Sequence, residues 1–207
     1  MNQASVTDCP VIPVAVPEQA VLARLGGNRH RTALSAPELV RFRCAMQQAR
    51  SVMRPRGRYT VIPLRENDGT RALAGESWHL ECASLCRLLG DAPWLWVGAV
   101  TIGGELTELV ARAGDKLAEA VIYDAAGSEC ADSAMDLLQQ QAARQLVRLG
   151  KLLGPRRFSP GYGDWSLAAQ REIFALLNLA EIGMRYDDNF FMHPEKSVTA
   201  VAPVFPA

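Results

Sequence analysis

Arg157-Phe158-Ser159-Pro160-Gly161-Tyr162-Gly163-Asp164-Trp165 runs straight into an apolar-periodic segment, Leu167 to Leu177. An arginine precedes a Pro-Gly turn, and an aromatic residue and a second glycine follow it. Glycines at 161 and 163 let backbone approach a ligand with no Cβ in between. Pro160 fixes its own φ and stiffens the turn. The Arg157 guanidinium is a planar fork suited to a carboxylate or phosphate. Two readings follow: a loop that holds a small zwitterion or a nucleotide, or a plain turn, where the same residue types are common.

Working outward, the spacing predicts a helix over Leu167 to Leu177 and two C-terminal strands, near Met184 to Met192 and Ser197 to Val204. On the N-terminal side, Ser128 to Leu149 predicts a long helix, Ala118 to Tyr123 a strand and Glu105 to Ala113 a helix. Leu95 to Ile102 is short, apolar and valine-rich, as a buried strand is. Ser77 to Leu89 reads as a helix closed by Gly90. Asn67-Asp68-Gly69 is a turn signal after the strand Tyr59 to Leu64. Ser35 and Glu38 form a capping box with Pro37 in the first turn, predicting a helix to about Met53 with Leu39, Phe42 and Met46 inward. Glu18 to Leu25 reads as a short helix or strand ending at Gly26-Gly27. Residues 1–14 carry prolines and no period, which predicts an extended or disordered arm. The elements imply one α+β domain over residues 15–207, with a strongly bent sheet.

Composition narrows the function. The chain has 207 residues, 49% hydrophobic and 21% charged, enough for a sizeable core. Its 22 basic and 22 acidic side chains cancel, which argues against a nucleic-acid surface. The cluster Arg50, Arg54, Arg56 and Arg58 reads as the cationic end of a helix. No signal-peptide order and no bilayer-length apolar run is present, so the expected location is cytoplasmic, with no membrane partner. Five irregularly spaced cysteines do not form a disulfide framework. Cys82 and Cys86 lack a third ligand at Leu89 for a radical-type cluster and read as buried small hydrophobes.

Asp124-Ala125-Ala126-Gly127-Ser128 sits, on this reading, between strand and helix. Ser128 then either caps the helix or marks a start whose N–H groups face an anion. Asp132 and Asp136 are four apart and share a helix face.

Three blocks carry a family resemblance. Arg157-x-x-Pro160-Gly161-Tyr162 resembles the S-adenosylmethionine-binding loop of the activation domain of cobalamin-dependent methionine synthase. Ile182-Gly183-Met184 through Met192-His193-Pro194 and Ser197-Val198-Thr199 resembles that family's closing motif. Val97 to Gly104 together with Asp124 to Ser128 resembles its stand-alone form. The likeness spans roughly residues 15–204 and implies a bent, mainly antiparallel sheet with flanking helices.

The resemblance also implies a role in methionine biosynthesis: reductive reactivation of a corrinoid methyltransferase, in which S-adenosylmethionine methylates cobalt. The implied ligand residues are Arg157, Ser159 through its backbone, Gly161 and Tyr162. Asp132 falls where the family places a ligand-contacting glutamate. Some family features have no counterpart here: an N-terminal aspartate, a tyrosine on a C-terminal tail, and Thr-Glu in the closing motif, replaced by Asp187-Asp188. No Asp-x-His-x-x-Gly corrinoid motif occurs, and His30, His79 and His193 are scattered. Cobalamin is therefore expected from a partner, a corrinoid protein or a methionine synthase lacking its own activation domain, with an external electron donor. The alternative implied by the missing contacts is a non-catalytic cap or docking module for a corrinoid protein.

Overall fold

A computed structural model describes residues 5–26 and 34–207. Its centre is strand β5 (Trp94–Thr101), almost wholly buried. Side chains alternate across a strand, and both faces of β5 are covered. Leu95, Val97 and Ala99 enter one core with Leu80, Leu85, Trp165, Ile173 and Leu177. Trp96 and Val100 enter another, with Met135, Leu138 and Ala142. A valine-rich run with no polar alternation is the sequence trace of that double burial.

The sheet is antiparallel throughout. β2 (Arg56–Arg65) pairs with β5 from Arg56↔Thr101 to Pro63↔Trp94. β9 (Ser197–Pro206) lies on the other side of β5, from Trp94↔Val204 to Thr101↔Ser197. β6 (Lys151–Leu153) closes that edge. The far edge of β2 serves two neighbours: β1 (Thr7–Cys9) along Gly57 to Tyr59, and β3 (Arg71–Ala74) at Leu64 and Arg65. β4 (Trp78–Glu81) follows β3. The sheet curls into a half-barrel, and the whole is an α+β fold with flanking helices.

Among the described residues, six α-helices surround it: α1 (Glu18–Arg24), α2 (Ala36–Val52), α3 (Ala83–Leu89), α4 (Glu105–Arg112), α5 (Leu117–Val147) and α6 (Gln170–Leu177). The capping box starts α2 as its residues dictate, Ser35 N–H donating to Glu38 Oε2 at 2.8 Å. With 31 residues, α5 is about 46 Å long. Its first half packs under α2 and α4 through Tyr123, Ala126 and Cys130; its second half packs on the sheet through Met135, Leu138 and Ala142.

Several local expectations are corrected. Ala118 to Tyr123 is not a strand but the first turns of α5. The run is too short for periodicity to separate a strand from a buried helix. Gly127 and Ser128 consequently lie mid-helix, and no helix start faces an anion there. The Ser128 hydroxyl donates instead to the Asp124 carbonyl at 3.1 Å. A Cβ added to Gly127 would overlap Leu106 Cδ2, so the glycine permits close helix packing rather than a turn.

Ser77 to Leu89 divides. Trp78 and Leu80 point inward with period two and form β4, and Cys82 then caps the short α3. The helix expected from Leu167 begins as a 3-10 turn, Leu167–Ala169. Met184 to Met192 is not one strand but a hairpin, β7 (Arg185–Tyr186) against β8 (Met192–His193). Within the N-terminal stretch, Thr7–Cys9 joins the sheet. Gly27 and His30 lie outside the described residues.

Candidate functional site

After β6 the chain turns over the second half of α5 and returns to the sheet at Phe158. Phe158 and Val201 of β9 exchange backbone hydrogen bonds of 2.9 and 2.8 Å. That anchor suspends the Ser159–Trp165 loop beside α5. Between them opens a groove of about 850 Å³, lined in part by Asp132, Asp136, Gln139, Arg157, Ser159 and Tyr162. Small-molecule sites typically span roughly 300–1,000 Å³.

Buried aromatics hold the loop. Trp165 is 4% exposed, its ring 6.1 Å from Phe158 and 6.4 Å from Trp78. Gly161 N–H donates to the Trp165 carbonyl at 2.8 Å, and Trp165 N–H to that of Tyr162 at 3.0 Å. Gly161 has φ +91°, a region that favours glycine. Asp164 fastens the far end, accepting from Ala83 N–H at 2.8 Å and the Cys82 thiol at 3.2 Å. Hydrogen bonds from the Ser84 side chain and Cys82, with backbone donors, hold its carboxyl well below the usual carboxylate range.

The charged residues of the groove are already paired. Arg157 Nη2 donates to Asp136 Oδ1 at 2.7 Å, and Nη1 to Gln139 Oε1 at 2.6 Å. Gln139 is buried, and its amide nitrogen donates to the Gly154 carbonyl at 2.8 Å. A guanidinium has five donors, so among the described residues three N–H groups of Arg157 remain after these two bonds. Asp132 accepts from Arg24 Nη2 at 2.8 Å, while Arg24 Nε bonds Glu129 at 2.7 Å.

Of the residues expected from the sequence, Arg157, Ser159, Tyr162 and Asp132 line one groove. Gly161 shapes the turn without lining it. Tyr162 stands 69% exposed at the rim. Sequence reasoning does not single out Gln139, Asp164 or Trp165. For Gln139 the available signal is its place three residues after Asp136, a spacing that puts both side chains on one helix face.

Other candidates resolve separately. Arg54 donates to the Ser51 and Met53 carbonyls at 2.8 and 2.9 Å, as a cation ending α2 should. Arg58 instead reaches the end of α6, donating to Leu177 and Asn178 carbonyls at 3.0 and 2.8 Å. Cys82 and Cys86 are buried, and desolvation raises both thiols. His193 approaches Asp187 Oδ2 at 3.5 Å within the β7–β8 hairpin. Among the described residues, no three potential metal ligands cluster, and no helix is long and apolar enough to cross a membrane.

With this geometry in hand, solved structures supply a likeness. The crystal structure of the MetH reactivation domain bound to AdoHcy matches with a TM-score of 0.68. This chain has the fold of that domain. The match covers 99% of this chain and 80% of the other, at 16% sequence identity. No family model matches the sequence, and no curated protein matches it.

Proposed function

We propose that this protein reactivates a cobalamin-dependent methyltransferase of the methionine synthase type, acting in trans with S-adenosylmethionine as methyl donor. The observation that carries the reading is the groove: on a reactivation-domain fold, it gathers Arg157, Ser159, Tyr162 and Asp132 around one opening. The solved neighbour was crystallised with AdoHcy, the demethylated form of that donor. In this reading Arg157 receives the ligand carboxylate and Ser159 presents its backbone. Gly161 sets the turn, and Tyr162 flanks the ligand at the rim. Asp132 lends negative charge near the sulfonium.

A partner's cobalamin, reduced by one electron from an external donor, would supply the nucleophilic metal. The leaving group is a neutral thioether, so the chain needs no acid–base pair. Its contribution is to place donor and acceptor in line and to cover them. A groove without a nucleophile–base pair suits that task.

One observation favours a second reading, a non-catalytic cap for a corrinoid protein. Arg157 and Asp132 are both engaged within the protein, by Asp136 and by Arg24. Titration calorimetry with S-adenosylmethionine separates the two. The first reading expects saturable binding at millimolar ligand or below, and methylcobalt absorption only when a cobalt(II) corrinoid protein and a low-potential reductant are added. An absence of binding at millimolar ligand leaves the cap.

A further inference from the structure

Arg157 is gripped by two acceptors of different kind. Gln139 is neutral and buried, and its orientation is set by the bond from its amide nitrogen to the Gly154 carbonyl, 2.8 Å. Asp136 is charged, and its side chain is 58% exposed. A ligand can displace the second far more readily than the first. We propose that Asp136 is a specificity-determining residue: it yields Arg157 to the carboxylate of an α-amino-acid head group and takes that group's ammonium in exchange. This rests on the groove being the S-adenosyl ligand site.

Charge conservation drives the selection. A ligand bearing only a carboxylate would place a second anion beside Asp136 and leave one of the two without a cation. Like charges that close disfavour each other. An α-amino acid carries its ammonium on the carbon next to the carboxylate. When its carboxylate takes Arg157, its ammonium lies within reach of the carboxylate just released. Two ion pairs replace one. Asp132, one helical turn away, is less suited to receive the ammonium because Arg24 holds it at 2.8 Å. Gln139 keeps Arg157 in place throughout, so the exchange needs only the exposed Asp136 side chain to turn.

The test compares S-adenosylhomocysteine with its deamino analogue, the 5′-thioadenosine bearing a butyrate chain, by calorimetry. Wild type should prefer the amino-acid form by about tenfold or more, the weight of a charge-assisted contact. In Asp136→Asn the preference should fall toward unity, chiefly through weaker binding of the amino-acid form. Arg157→Ala should weaken both ligands. Undiminished discrimination in Asp136→Asn, with binding intact, overturns the assignment alone. Loss of discrimination in Asp132→Asn instead would place the ammonium there and also overturn it. If wild type binds neither ligand, the assignment fails together with the functional reading beneath it.

Discussion

Two cations from the C-terminal third of the chain dock on α5 by the same chemistry, with different consequences. Lys196 donates to Asp124 Oδ1 at 2.6 Å and to the Ser128 hydroxyl at 2.9 Å. Arg157 donates to Asp136 and Gln139 at 2.7 and 2.6 Å. Each cation meets a carboxylate and a neutral polar group three or four residues apart on one helix face. Around Lys196 the space is full: Leu106 and Ile102 pack against Gly127 between its two partners. Around Arg157 the space is open, and a planar fork leaves donors unused. Pairing does not distinguish a structural contact from a site. Free volume and unused donors are what make Arg157 the candidate.

Filling the closed side tests this contrast most severely. Gly127→Val would force a side chain into Leu106, which is 1% exposed. Overpacking of this kind should cost up to about 3 kcal/mol and lower the melting temperature by several degrees. Ligand affinity of the folded fraction should stay unchanged. Parallel loss of both would mean that the two halves of α5 are coupled.

On the open side, Arg157→Ala should cost about 2 kcal/mol of S-adenosylmethionine binding, roughly thirtyfold in affinity, with little change in stability. Calorimetry and thermal melts read the two effects separately. Unchanged affinity would remove Arg157 from the site and equate it with Lys196.

Lys196→Met approaches the same contrast from the other direction. It removes a cation whose partner Asp124 is well exposed, so the stability loss should be about 1 kcal/mol or less. Ligand binding should not move. A tenfold affinity loss in this variant would extend the site along α5.

The smallest effect concerns pH. Asp164 anchors the loop with its carboxyl held below its ordinary value. Its contribution is therefore complete above the unfolded value, about 4, and fades as pH falls through the lower folded value. Fluorescence of the buried Trp165 should stay constant in wild type until the pH drops below that unfolded value, and then change. In Asp164→Asn this acid-dependent change should disappear. An identical acid profile in both proteins would show that the aromatic packing alone holds the loop.

Much of this architecture is legible in residues. The capping box at Ser35 and Glu38 and the apolar run at Leu95 encode their elements locally, because caps and double burial leave distinct residue patterns. Arg157, Ser159, Gly161, Tyr162 and Asp132 are expected as ligand residues through the family resemblance, and Asp132 through it alone; the structure places four of them along one groove. Ala118 to Tyr123 misleads because five apolar residues around Glu119 fit a strand as well as a buried helical turn. Gly127 compounds the error, since a glycine mid-helix looks like a break unless its packing partner is known. Ser77 to Leu89 reads as one helix only because its later leucines dominate; Trp78 and Leu80, two apart, carry the period of a strand, which pairing with β3 realises.

Residue patterns thus suffice for the elements whose signals are local and for the α+β class. Tertiary packing settles that α5 is continuous, that Asp132 faces Arg24, and that Arg157 rests between Asp136 and Gln139. Those outcomes depend on which surfaces meet across more than a hundred residues of chain at the Arg24–Asp132 pair. No local propensity or spacing encodes such a meeting, because it is set by how the packed layers exclude water and share the remaining space.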